Sequence, residues 1–144
     1  MIHISSHSFT PVLHGKVRQA DAGLLYDPRR RGEVELCALW KEALLALAPD
    51  LRVRRNYPYA GSGDGLTSYL RRRFAPDAYV GIELEVNQRI VLAAQRQWAA
   101  LREVLVDSLG QALAAWAARP RAPRVTAARR FLPSCPRLAD KGDP

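Results

Sequence analysis

Apolar residues recur along this chain at two alternating spacings, and that alternation limits the fold more than any single motif does. Residues 2–6 alternate apolar with polar side chains, the period of a strand with one buried face. Across 33–48, Leu36, Leu39, Trp40, Ala43, Leu44 and Leu47 fall three and four apart until Pro49-Asp50 ends the run, which predicts an amphipathic helix. Residues 51–55 alternate again as a second strand, and turn formers fill 56–65. Asp64 stands where an N-cap would open a short helix over 65–74. Residues 78–86 predict a third strand, and 88–119 are helical in period, with a break expected at Gly110, where glycine costs about 1 kcal/mol against alanine. Residues 8–32 read as a long loop ordered only around 22–27. Strands alternating with helices make an α/β fold, in which crossovers favour parallel pairing and sites gather at the carboxyl ends of strands. His7, the Asn56 loop and Glu85 all follow such ends, so one rim is expected to gather them.

Composition fixes the scale. With 144 residues, 48% of them hydrophobic, the chain makes one domain, expected over 1–118, followed by a basic Pro/Arg-rich disordered tail over 119–144. That tail holds seven Arg or Lys against two Asp, a surplus of +5 out of the chain's +8. A solvated terminus explains such charge better than a nucleic-acid interface, because neither a stacking set of aromatics nor a zinc-finger spacing accompanies it. Cys37 and Cys135 lie far apart and read as reduced thiols. The amino terminus lacks the layout of a signal peptide and no apolar run reaches membrane-spanning length, so the expected location is cytoplasmic, with no membrane partner.

Several side chains carry chemistry by type. Glu83 and Glu85, two apart on a strand, share one face. A carboxylate there can take a proton from water and pass it to a leaving amine, or simply pair with a nearby Arg. His7 can ligate a metal, although a lone His between Ser6 and Ser8 is more often a hydrogen-bonded loop residue, and His3 and His14 match it by type. Arg55 with Asn56 suits a substrate carboxylate, and Arg18 is a second candidate. Asp64 lies in a Gly61–Gly65 loop without the lysine of a phosphate loop, which assigns the loop to turn geometry or to backbone approach to a substrate. One imidazole and one carboxylate do not hold zinc, since a catalytic site takes three protein ligands.

Four stretches are familiar: His7-Ser-Phe-Thr-Pro11; Arg18-Gln-Ala-Asp-Ala-Gly-Leu-Leu-Tyr-Asp-Pro28; Arg55-Asn-Tyr-Pro-Tyr59 with Gly61 and Asp64-Gly65; and Gly81-Ile-Glu-Leu-Glu-Val-Asn-Gln88. Together, over 2–88, they resemble the N-formylglutamate amidohydrolase family. The resemblance implies a zinc-carboxypeptidase-like (phosphorylase/hydrolase-like) sheet with flanking helices and hydrolysis of a small N-acylated amino acid. It implies His7 as a zinc ligand and Glu85, followed by Val86-Asn87, as the general base. In that family another zinc-binding His and an acidic ligand come from the first half of a longer chain. The resemblance therefore covers only a carboxyl-terminal portion, and Met1 is a doubtful true start. A sheet shortened in this way is expected to cover its edges by forming a homo-oligomer. The alternative is a catalytically inactive remnant that acts as a binding protein.

Overall fold

The computed structural model describes residues 1–63 and 65–119. In chain order the elements are β1 (Ile2–Phe9), β2 (Val12–Leu13), β3 (Lys16–Val17), β4 (Ala22–Leu25), α1 (Arg31–Leu47), β5 (Val53–Arg55), α2 (Leu66–Arg73), β6 (Val80–Asn87), α3 (Gln88–Val91) and α4 (Gln95–Ala117). Asp64, Cys135 and all of the expected tail except Arg119 lie outside the described residues.

Four strands form one sheet in the order β1-β6-β4-β5, and β2 and β3 form a separate hairpin. The sheet is mixed, not parallel throughout. β1 runs parallel to β6 and β5 parallel to β4, but β4 meets β6 antiparallel, with Gly23 opposite Glu85 and Leu25 opposite Glu83. β4 is the strand that the spacing of the sequence did not resolve. All four of its residues are buried, so it lacks the apolar and polar alternation that betrays a half-exposed strand.

Alternate residues of each strand build the core. Ile4, Ala22, Leu24, Val53, Val80, Ile82, Leu84 and Val86 pack against Leu36, Trp40 and Leu44 of α1 and Leu101, Leu105 and Ala112 of α4. Trp40 is 1% exposed, and its indole Nε1 donates to Ser108 Oγ at 3.1 Å, which satisfies the polar group it brings inside. The long carboxyl-terminal helix breaks at residues 92–94, not at Gly110. Asn87 Oδ1 caps α3 by accepting from the Arg89 amide, α3 ends at Val91 with Leu92 as its C-cap, and Ala94, at ψ 139°, is non-helical before α4 begins. A side chain at Gly110 would meet open space, so the helix runs through it. Gly65 is the N-cap of α2 and gives it no side-chain cap.

The opposite face of the sheet carries α2 and the loop after β5. A buried ionic knot anchors them. Glu33, wholly inaccessible in the first turn of α1, accepts from Arg71 Nε and Nη2 of α2 at 3.0 and 2.9 Å, from the Gly81 amide of β6 at 3.2 Å and from the Asp27 amide at 2.8 Å. Arg30 Nε lies 3.3 Å from the same carboxylate as an ion pair without hydrogen-bond geometry, and its Nη2 donates to Tyr79 O at 3.0 Å.

Candidate functional site

The face away from α1 and α4 gathers Glu83 and Glu85 of β6 and His7 of β1. His7 is the register partner of Glu85, and Ser5 of Glu83. The two glutamates share that face because they are two apart on a regular strand, but their surroundings differ. Glu83 Oε1 accepts from Thr67 Oγ1, a buried hydroxyl in the first turn of α2. Glu85 is 6% exposed, and its Oε2 is fully buried without a hydrogen-bond partner among the described residues. Burial pushes its carboxyl above the ordinary range and the Glu83 charge adds to that, while His7 and Arg18 pull the other way. Neither glutamate pairs with an arginine among the described residues.

An aromatic and guanidinium cover lies beside Glu85. Arg18 Nη1 donates to Tyr59 Oη at 3.1 Å and approaches Thr10 Oγ1 at 3.5 Å, while its guanidinium sits 5.1 Å from the Tyr59 ring centre and 5.8 Å from that of Phe9. Tyr57 Oη accepts from the Gln19 amide at 3.2 Å, and the ring meets Phe9 edge-on. The Tyr57-Pro58 peptide is cis. Gly23 makes this approach possible: a Cβ there would stand 1.9 Å from Tyr57 O and 3.5 Å from Glu85 Cβ. Only glycine lets the loop backbone rest on β4 next to the carboxylate. Asn87, 1% exposed, donates through Nδ2 to Ala20 O at 2.8 Å and so ties the segment behind Arg18 to the end of β6.

The expected substrate-binding residues separate. Arg18 belongs to the cluster. Arg55 pairs in register with Leu24, a core residue, and so projects on the helix side, where its charge acts on the buried Cys37 thiol. Burial pushes that thiol far up, which makes it inert. Asn56 is occupied by backbone, since its Oδ1 accepts from the Tyr26 and Gly61 amides at 3.0 and 3.2 Å. Asp64 lies outside the described residues. The expectation that His7, Asn56 and Glu85 leave one rim together fails because β4 and β5 run against β6, which sends the carboxyl end of β5 to the other edge. The loop then folds back, so that the Tyr57 carbonyl rests on Gly23, the register partner of Glu85, and Tyr59 meets Arg18.

Tyr57, Tyr59, Thr67, Gly23 and Asn87 were not identifiable as site residues from spacing. Of these, Gly23, Tyr57, Tyr59 and Asn87 lie within the four familiar stretches and Thr67 lies outside them. His3 binds Tyr79 Oη through Nδ1 at 2.8 Å, and His14 sits at positive φ in the turn of the β2–β3 hairpin. Among the described residues no group of three or more His, Cys, Asp or Glu is placed to hold a metal ion. His7 with Glu85 is therefore not a zinc site by itself, because three protein ligands are needed.

No protein-family model and no curated protein matches the chain. Among solved structures, the crystal structure of gene product Atu2144 from Agrobacterium tumefaciens is similar, with 34% identity and a TM-score of 0.57 over 78% of this chain. The chain spans 42% of the length of that protein. The match and the mixed sheet with flanking helices agree on an α/β fold. No described helix is long and apolar enough to cross a membrane.

Proposed function

We propose that this chain carries the general-base part of an amide-hydrolysing site of the N-formylglutamate amidohydrolase type, acting in the cytoplasm on a small N-acylated amino acid. In this reading the four strands are part of a zinc-carboxypeptidase-like sheet. The observation that carries it is the buried, unpartnered Glu85 Oε2 beside His7 and below Arg18. Removing a carboxylate oxygen from water without a hydrogen bond is costly, and a fold keeps such a group where a reaction uses it. As the base, Glu85 takes a proton from the water whose oxygen attacks the acyl carbon. When the C–N bond breaks, that proton passes to the amine nitrogen, leaving a carboxylic acid and a free amino acid.

Glu83, held by Thr67, positions the strand and adds negative charge beside the base. Arg18 keeps Nε and Nη2 free of partners among the described residues, a fork suited to a substrate carboxylate. His7 is the ligand this chain would offer to zinc, and the described residues do not complete the set. That incompleteness favours a second reading, an inactive protein that binds the same class of ligand.

Hydrolysis of N-formyl-L-glutamate and other N-acyl amino acids by the purified chain with added zinc separates the two. The expected result is turnover that falls about 10²–10⁴-fold in kcat in Glu85→Gln with the fold retained. Zinc should also be lost from His7→Ala. Turnover indifferent to Glu85→Gln would overturn the proposal, and no turnover across the panel, with ligand still bound, would leave the second reading.

A further inference from the structure

The two edges of the sheet are built differently. β5, at one edge, has three residues and exposes Arg54 and Arg55, a short charged edge of the kind that resists pairing. β1, at the other, has eight residues, Ile2–Phe9, and no Lys, Arg, Asp, Glu or Pro. Its inner side is fixed by the β6 ladder. The Val80 amide donates to Met1 O at 3.0 Å, so the odd-numbered residues of β1 turn their peptide groups inward. Ile2, Ile4, Ser6 and Ser8 then turn theirs to the open edge, where no strand of the described residues pairs with them.

We propose that β1 pairs antiparallel with β1 of a second copy about a two-fold axis at Ser5. Two features select this occupant. The outward residues 2, 4, 6 and 8 are symmetric about Ser5, so one register pairs Ile2 with Ser8 and Ile4 with Ser6 in both directions and uses every outward amide and carbonyl. A shift by one residue would set outward groups against inward ones, and a shift by two would leave groups unpaired. Exposed apolar side chains also stand at both ends of the edge: Met1 and Ile2 at its start, and Leu92, 80% exposed, after α3, which packs near its end. The two-fold brings one end against the other and covers both.

The pairing changes the site. In that register His7 faces the partner's His3 as a pair without mutual backbone bonds, the closer kind, with Cα atoms about 4.5 Å apart. His3 Nδ1 is held by Tyr79 Oη of its own copy, so Nε2 of the partner's His3 is the ring nitrogen left for the Glu85 cluster. The cluster gains an imidazole that a single copy lacks. The pairing itself does not depend on the hydrolytic reading.

Sedimentation equilibrium of the full chain, with cysteine cross-linking in a Cys135→Ser background, tests this. The unmodified chain should sediment as a dimer. Ser6→Pro removes only an outward amide, and Ser5→Lys faces Glu83 within the chain but its own copy across the axis. Each should give a monomer with an unchanged far-UV spectrum. Ser5→Cys should oxidise to a covalent dimer, whereas Ser6→Cys, too distant from its copy to bridge, should not. A monomeric unmodified chain, a dimer indifferent to both Ser6→Pro and Ser5→Lys, or cross-linking at residue 6 in place of 5 would overturn the proposal.

Discussion

Two buried glutamates, one against the start of β6 and one within it, show what a buried charge does when it is matched and when it is not. Glu33 receives two backbone amides and a two-nitrogen grip from Arg71, with Arg30 alongside. Glu85 is almost as buried, yet its Oε2 has no partner among the described residues. The first arrangement locks α1, α2 and β6 together. The second leaves a buried carboxylate oxygen without a partner on the face that carries His7, the observation on which the proposed site rests.

The largest test of that contrast is Glu33→Ala, which strands two buried guanidinium groups. It should cost about 3–5 kcal/mol, seen as a collapse of the urea midpoint; a loss below 1 kcal/mol would show that the knot is not what joins the elements. Next comes Gly23→Ala, whose methyl would collide with Tyr57 O. It should cost about 1–3 kcal/mol and free the Tyr57–Tyr59 loop, read as faster exchange of the Gln19 amide that Tyr57 Oη holds, with the α1–α4 core unaffected.

Asp21 gives a smaller effect with a defined pH dependence. Burial raises its carboxyl pKa, but hydrogen bonds from Arg52 and the charges of Arg52 and Arg89 outweigh that and hold it below the ordinary 3.8. The stabilisation is full above that ordinary value and is lost as pH falls through the lower folded one. Because both arginines are about half exposed, Asp21→Asn should cost only about 1 kcal/mol at neutral pH and flatten the acid limb of the stability curve.

Glu85 should show the reverse sign. Its folded pKa lies above the ordinary 4.5, so the native state binds the extra proton and stability declines as pH rises through that window. Glu85→Gln should therefore raise the melting temperature near neutral pH, by roughly 1–4 °C, while Glu33→Gln lowers it. Equal signs for the two would erase the distinction between scaffold and site.

Much of the architecture was legible from local pattern. The helix expected over 33–48 is α1, Arg31–Leu47, and the strands expected at 2–6, 51–55 and 78–86 are β1, β5 and β6. These carry a periodic apolar face, and a periodic face is a local property. β4 was not legible, because Ala22-Gly-Leu-Leu25 is four residues of uniformly small or apolar type with no alternation to display, unlike the equally buried β6, where Glu83 and Glu85 interrupt the apolar positions. The hairpin of Val12–Val17 is two residues a side, too short for a period. The proposed cluster followed the same division: Glu83, Glu85, His7 and Arg18 were singled out by type and motif and the fold brings them near one another, while the placing of Arg55 on the other face and the use of Asn56 by backbone depended on register.

By itself the sequence determined an α/β chain, the faces of its helices and the shared face of Glu83 and Glu85, since spacing along the chain dictates which side chains point together. Only the tertiary structure decided that β4 enters between β6 and β5 antiparallel to β6, that Tyr57 and Tyr59 fold back over Gly23, and that Glu33 is matched while Glu85 is not. Those outcomes depend on which distant backbone groups meet across the sheet, and no local period encodes that meeting.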